Sequence, residues 1–119
     1  MKLNNNPLQN KSYDFALLTA KLSKKLAKDK KEFILSQQIL RNGTSVGANM
    51  VEANGAISKA DFSAKMSIAY KECLETKYWL HLLKDSDDLD LEDFNQLFER
   101  ADERGKLLFS ILKTTRINK

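Results

Sequence analysis

Three glutamates are the side chains of this sequence whose type and spacing are best suited to chemistry. Glu72 and Glu75 lie three residues apart, which places them on one face of a helix. Together with Glu52 they would offer carboxylates for acid–base catalysis. A buried carboxylate needs a partner, and Arg41 and the nearby amides can supply one. The residues therefore favour a structural polar network over catalysis.

The partners expected for these carboxylates form a ladder in an otherwise apolar segment. Its spacing of four, four, four and three residues keeps the side chains on one stripe of a helix. Such a stripe is either a buried seam between helices or a row of groups offered to a partner. Because Glu72 and Glu75 are predicted to face it, we expect a buried network that fixes helix register. The predicted members are Gln37, Arg41, Ser45, Asn49, Glu52, Glu72 and Glu75.

The other reactive residue types give little support for catalysis. His81 is the single histidine and Cys73 the single cysteine, so the sequence contains neither a Glu-x-x-His pair nor a cysteine cluster. We expect Cys73 in the core, and His81 near a helix end, beside the helix dipole or an acidic side chain. The prediction is a protein without enzymatic activity that holds no metal and no cofactor.

Positive charge is concentrated in the first half of the chain. Up to Ala60 there are ten Lys and Arg against four Asp and Glu, and from Asp61 onwards ten against twelve. The lysines of the first predicted helix are candidate contacts for the phosphates of RNA or DNA. A solubilising surface explains them equally well, because arginine reads phosphate geometry better and is largely absent there. The four candidates are Lys21, Lys24, Lys25 and Lys28.

Four amphipathic helices are predicted to position these groups. Apolar residues recur every three or four positions in four segments separated by short polar connections, which predicts an all-α, antiparallel up-down-up-down four-helix bundle. The predicted helices are Lys11 to Lys28, Lys31 or Glu32 to Asn54, Ser58 to beyond Leu83, and a fourth that carries Phe94 and ends at Thr114.

Several residues predict how these helices begin, end and pack. Ser12 and Ser58 are candidate N-caps, the latter with Asp61 three residues later. Gly55 after Asn54 predicts a left-handed helix end. Gly43 and Gly47 lower helix propensity, which predicts close approach of another helix.

Length and composition favour one domain over residues 1–119, with a flexible segment at 1–10 and a basic tail at 115–119. The polar amino terminus lacks the apolar core of a signal peptide, and no apolar run approaches membrane-spanning length. A single cysteine suits a reducing compartment. We therefore expect a soluble cytoplasmic protein.

The two central helices carry a recognisable set of residues. They are Phe33, Gln37, Arg41, Ser45, Val46, Asn49, Glu52, Lys59, Asp61, Phe62, Ile68, Ala69, Glu72 and Glu75. With these residues the segment resembles the bacterial four-helix bundle proteins first noticed in intervening sequences of 23S ribosomal RNA, also called the S23 ribosomal protein family. Where many members have Asn-Ile-Ala-Glu-Gly, this sequence has Ala53 in place of the glycine.

The resemblance implies a homopentameric ring of bundles without enzymatic activity. The chain is also similar to the accessory variability protein of diversity-generating retroelements, a basic pentamer of this fold that associates with reverse transcriptase and nucleic acid. The partners it implies are further copies of the chain, RNA or DNA, and a protein such as a reverse transcriptase, with no membrane. A protein-interaction scaffold without nucleic-acid binding is the alternative.

Overall fold

Four α-helices make up most of the chain. The structure is a computed structural model that describes the backbone of residues 7–117 and the side chains of residues 10–115. Consecutive helices pack against each other through short connections, so the chain runs up, down, up and down. The predicted all-α four-helix bundle is confirmed. The helices are α1 (Pro7–Asp29), α2 (Ile34–Asn54), α3 (Lys59–Asp85) and α4 (Leu91–Ile117).

The helix ends of the first half differ from those predicted. The described part of α1 starts at Pro7, so Ser12 lies buried inside the helix and is not its cap. Glu32 Oε1 accepts hydrogen bonds from the backbone N–H groups of Ile34 and Leu35, at 2.7 and 2.6 Å, at the start of α2. Gly55 has a φ of −99°, so the predicted left-handed end of α2 is wrong.

Both helices of the second half of the chain start at a side-chain cap. Ser58 Oγ accepts a hydrogen bond from the Asp61 N–H at 3.0 Å, which confirms the predicted cap of α3. Asp90 Oδ1 caps α4 in the same way, through the Asp93 N–H at 2.8 Å. Of the predicted flexible segment 1–10 and basic tail 115–119, residues 7–10 and 115–117 are helical. The other residues of both segments lie outside those described.

The core consists of two apolar clusters with polar side chains between them. Thr19, Asn42 and Thr76, from α1, α2 and α3, are fully buried. Thr19 and Thr76 satisfy their hydroxyls by donating to backbone carbonyls of Ala16 and Glu72 in their own helices. The first cluster includes Phe15, Val46, Met66, Cys73 and Leu108, and the second includes Leu22, Ile39, Leu80, Leu83 and Phe94.

The glycines of α2 allow close packing against α1, as predicted. A Cβ added to Gly43 would lie 2.1 Å from Thr19 Oγ1 and 2.6 Å from Thr19 Cβ. At Gly47 the nearest atom would be the Ser12 carbonyl oxygen at 3.4 Å. The loss of helix propensity at Gly43 is therefore offset by a helix contact that no larger residue permits without movement.

Candidate binding surfaces

The polar ladder of α2 lies mainly on the outer side of the bundle. Gln37, Arg41 and Glu52 are exposed, Ser45 is half-buried, and Asn49 is buried. The predicted buried seam is not observed for most of this stripe, which is flanked by the apolar residues Ile34, Leu40 and Val51. All three are exposed, so the ladder is part of a mixed outer surface.

The contacts within the ladder are local. Arg41 Nη2 donates to Gln38 Oε1 at 2.8 Å, and Asn49 Nδ2 donates to the Ser45 carbonyl at 2.9 Å. Glu52 forms an ion pair with Lys65 of α3 at 3.6 Å. Neither Arg41 nor Asn49 is the partner that the structure gives to Glu72 and Glu75. The expected pairing of these carboxylates with the ladder is therefore corrected.

Asn42 is the residue that holds the two glutamates. Its side chain is fully buried, and Nδ2 donates to Glu72 Oε2 and, at 2.5 Å, to Glu75 Oε2. Its Oδ1 accepts a hydrogen bond from Trp79 Nε1 at 2.9 Å. One amide thus satisfies groups from two turns of α3 and fixes the register of α2 against α3.

The sequence contains a signal for Asn42 that the prediction of the polar ladder did not include. Leu35, Ile39, Asn42 and Val46 are spaced four, three and four residues apart, so Asn42 occupies a position of the inward apolar stripe. A polar residue in such a stripe must find buried partners. The regular spacing of the ladder shows that its residues share one stripe of the helix. Spacing alone does not show which polar stripe faces inward.

The structure does not gather the three candidate carboxylates into one site. Glu52 is ten residues from Asn42 along α2, which is about 15 Å of helix, and it pairs with Lys65. Glu72 and Glu75 converge on the Asn42 amide instead. Across the side chains of residues 10–115, no group of three or more His, Cys, Asp or Glu is placed to hold a metal ion.

Cys73 lies in the core as predicted. It is fully buried beside Met66 and Leu108. Burial raises the pKa of the thiol from 9.0 to about 12, against a smaller lowering by the Arg104 charge. A thiol in this state is neutral and shielded near pH 7, so it is a poor nucleophile.

His81 packs against aromatic rings. Its ring lies 5.0 Å from that of Phe94 and 4.9 Å from that of Phe98, both on α4. On the same side of α3, Lys77 and Lys84 lie over the rings of Phe98 and Phe94 at 5.1 and 4.5 Å. The seam between α3 and α4 is therefore a packed cation–aromatic contact.

The four candidate lysines of α1 are all exposed, but they are not equivalent. Lys25 Nζ donates to Asp93 Oδ2 at 2.8 Å, and this hydrogen bond, with the charge of Asp93, raises the pKa of Lys25. Lys21, Lys24 and Lys28 form no ion pair within the described chain. We call these three residues the lysine face.

The acidic connection between α3 and α4 lies at the same end of the bundle. Lys25 and Lys30 share a pocket with Asp87, Asp88 and Asp90. These carboxylates offset much of the positive charge at the carboxyl end of α1. The lysines of α1 therefore differ in their surroundings, a difference that the uneven charge along the sequence does not reveal.

Large apolar side chains are exposed on both α2 and α3. Tyr78 is 62% exposed and Ile34 75% exposed. We call the outer sides of these two neighbouring helices the α2–α3 face. It comprises Ile34, Leu40 and Val51 of α2 and Ile68, Tyr78 and Leu82 of α3, together with Gln37, Arg41 and Glu52.

Comparison with known proteins identifies the family of this chain. The sequence model of the 23S rRNA-intervening sequence proteins matches residues 4–110. The chain belongs to this family. The resemblance that the two central helices suggested is thus confirmed, and the match also reaches into both outer helices.

A solved member of the family has the same fold. It is a protein of unknown function from the S23 ribosomal protein family of Bacteroides thetaiotaomicron, with 45% sequence identity and a TM-score of 0.87. The alignment covers 89% of this chain and 98% of that one. A comparison with curated proteins gave no match. None of the helices between Pro7 and Ile117 has the length and hydropathy needed to cross a bilayer.

Proposed function

We propose that this member of the 23S rRNA-intervening sequence family is a non-catalytic, homo-oligomeric binding protein. Copies of the chain associate through the α2–α3 face, and the lysine face of α1 binds the phosphates of RNA or DNA. The observation that carries the proposal is the set of large apolar side chains exposed on two adjacent helices. Monomeric proteins rarely expose extended apolar surface without a use for it.

The chemistry of the α2–α3 face supports a second copy of the chain as its partner. Apolar side chains and Tyr78 are interleaved with Arg41 and Glu52, a mixture typical of protein interfaces. A face that carries both charge signs can pair with itself or with a neighbouring copy in a ring. The family resemblance implies five copies.

Light scattering coupled to size exclusion tests the association. The wild-type protein is expected to have the mass of an oligomer, and Val51→Glu with Tyr78→Glu is expected to shift it to a monomer of unchanged helicity. Leu91→Glu is the matched control, since Leu91 is 64% exposed but lies at the start of α4. A monomeric wild type, or a double variant of wild-type mass, would refute self-association through this face.

The lysine face supports nucleic-acid binding by its position. Lys21, Lys24 and Lys28 lie on one side of α1 at spacings of three and four residues, and no carboxylate among the described side chains forms an ion pair with their ammonium groups. Repetition of this row around an oligomer would multiply the phosphate contacts. Each phosphate that is neutralised releases counterions, so binding depends on salt.

Fluorescence polarisation with a structured RNA and a duplex DNA tests this part. With three phosphate contacts per chain, each chain that contacts the duplex is expected to contribute about −2.7 to the slope of the logarithm of the association constant against log salt. Lys24→Gln with Lys28→Gln should reduce the contribution of each chain by about 2. Lys25→Gln should change it less, because Lys25 is already paired with Asp93. Absence of binding at low salt would refute the nucleic-acid role.

A protein-interaction scaffold is the second candidate, and the acidic connection favours it. Asp87, Asp88 and Asp90 stand beside the carboxyl end of α1, where they would repel nucleic-acid phosphates close to the lysine face. In this case the oligomer presents its surfaces to another protein, such as a reverse transcriptase. Purification from the native host separates the candidates, since the scaffold retains a protein partner after nuclease treatment.

The absence of catalysis in this proposal is supported by the environment of the reactive residues. Cys73 is buried with a raised pKa, and Glu52 is separated from the two glutamates bound by Asn42. The proposal places the protein in the cytoplasm, where a free thiol remains reduced.

A further inference from the structure

The side of the bundle between α1 and α4 is its most open side. These two helices contact each other only sparsely, whereas each other neighbouring pair is extensively packed. A cleft of about 290 Å³ opens there. Its lining residues are Lys11, Asp14 and Phe15 of α1 and Arg100, Glu103 and Arg104 of α4.

Arg104 is the unusual residue of this cleft. It is only 4% exposed, although it carries a permanent charge. Nη2 donates to Glu103 Oε1 at 2.8 Å, whereas Nη1 is buried and has no hydrogen-bond partner among the described residues. A buried charged donor without a partner is costly, so an unpaired guanidinium nitrogen calls for an acceptor.

The rim of the cleft adds two further cations. Lys11 lies 3.7 Å from Glu103, and both side chains are more than half exposed, so this ion pair is weak and easily exchanged. Arg100 is exposed, and its Nη1 donates a hydrogen bond to the Gln96 carbonyl at 3.2 Å. Its remaining N–H groups have no hydrogen-bond partner among the side chains of residues 10–115. Three cations therefore face two carboxylates, Asp14 and Glu103, and the cleft has an excess of one positive charge.

We propose that this cleft binds a small oxyanion, either a phosphate or a carboxylate group. Arg104 Nη1 donates to the anion from the floor, and Lys11 and Arg100 approach it from the rim. A partly buried guanidinium is well suited to this role because its charge-assisted hydrogen bonds are strong where water is excluded. Asp14 opposes the anion from the same rim, so the site selects an anion that can contact all three cations.

This site is distinct from the lysine face and does not depend on nucleic-acid binding. Lys11 is thirteen residues from Lys24, which is about 20 Å along α1. The cleft volume accommodates a single phosphate group with its solvent but not a folded partner. The ligand is therefore a small molecule, or a terminal group of a larger one.

Isothermal titration calorimetry of the full-length protein with inorganic phosphate tests the proposal. Sodium chloride at equal ionic strength is the reference, and sodium acetate is the carboxylate probe. Saturable binding is expected for phosphate, acetate or both, and the tighter probe identifies the class of ligand. Arg100→Gln and Lys11→Gln each remove one exposed rim cation and should weaken binding about tenfold. Lys113→Gln, an exposed α4 lysine outside the cleft, should leave it unchanged.

Arg104→Gln should abolish saturable binding, and its circular dichroism spectrum establishes whether the variant still folds. If it does not fold, the two rim variants decide the matter, since both residues are exposed. Heat no greater than that of chloride, or binding unaffected by both rim substitutions, would overturn the proposal. Loss of RNA binding in the Lys24→Gln and Lys28→Gln variant would not bear on it.

Discussion

Replacement of Gly43 by alanine gives a direct test of how closely α1 and α2 approach. The new Cβ would lie 2.1 Å from Thr19 Oγ1, 2.5 Å from Cγ2 and 2.6 Å from Cβ. Rotation of the Thr19 side chain does not move its Cβ, so the backbones of the two helices must separate. Overpacking of this kind costs about 3 kcal/mol at the upper end of its usual range.

Alanine also improves helix propensity over glycine, by about 1 kcal/mol. The free energy of unfolding of Gly43→Ala should therefore fall by about 2 kcal/mol, which corresponds to a Tm lower by about 8 °C. Urea unfolding followed by circular dichroism measures the difference, at one fixed protein concentration because self-association would add to stability.

Gly47→Ala is the matched control for this experiment. It lies one turn further along α2, and its added Cβ would be 3.4 Å from the Ser12 carbonyl oxygen and 3.7 Å from Ala16 Cβ. Its stability should equal or slightly exceed that of the wild type. A Thr19→Ala background should reduce the Gly43→Ala penalty, because two of the three clashing atoms are removed. If Gly43→Ala is as stable as Gly47→Ala, the close contact described here is wrong.

Two further predictions concern buried groups. Asn42→Ala removes the donor shared by Glu72 and Glu75 and leaves Trp79 Nε1 without its acceptor, so unfolding free energy should fall by about 3 kcal/mol with a change in tryptophan fluorescence. Arg41→Met, which changes an exposed neighbour of Asn42, should lower the unfolding free energy of the isolated chain by less than about 0.5 kcal/mol. Equal losses of unfolding free energy in the two variants would contradict the role given to Asn42. Native Cys73 should react with a thiol reagent at pH 8 only as fast as the protein opens, because burial raises its pKa to about 12. Since the folded state favours the neutral thiol, the contribution of Cys73 to stability is full below the unfolded pKa of about 9 and is lost as pH rises towards 12. Cys73→Ala should therefore make the free energy of unfolding fall less steeply at alkaline pH. An equally steep fall in the variant, or rapid labelling of the native thiol, would contradict the raised pKa.

The start of α3 illustrates what local sequence predicts well. Ser58 and Asp61 interact within one turn, so their geometry follows from their spacing alone. The ends of α1 and α2 were harder to predict. Ser12 has the side chain of a cap, but the helix extends past it to Pro7, and Gly55 does not use the left-handed conformation that glycine permits. In both cases the residue type is compatible with more than one local conformation, so its identity alone does not select one.

The polar ladder shows which properties of this protein follow from its sequence and which depend on its tertiary structure. By itself the sequence determined the four amphipathic helices, their antiparallel order, the close approach at Gly43 and membership of the 23S rRNA-intervening sequence family, because each follows from periodicity or from residue identity. Only the tertiary structure decided that the ladder faces outward and that Asn42 binds Glu72 and Glu75. It also placed a buried Arg104 in the cleft between α1 and α4. Which stripe of a helix faces inward depends on the position of its neighbours, and that arrangement is not encoded in the spacing of any single helix.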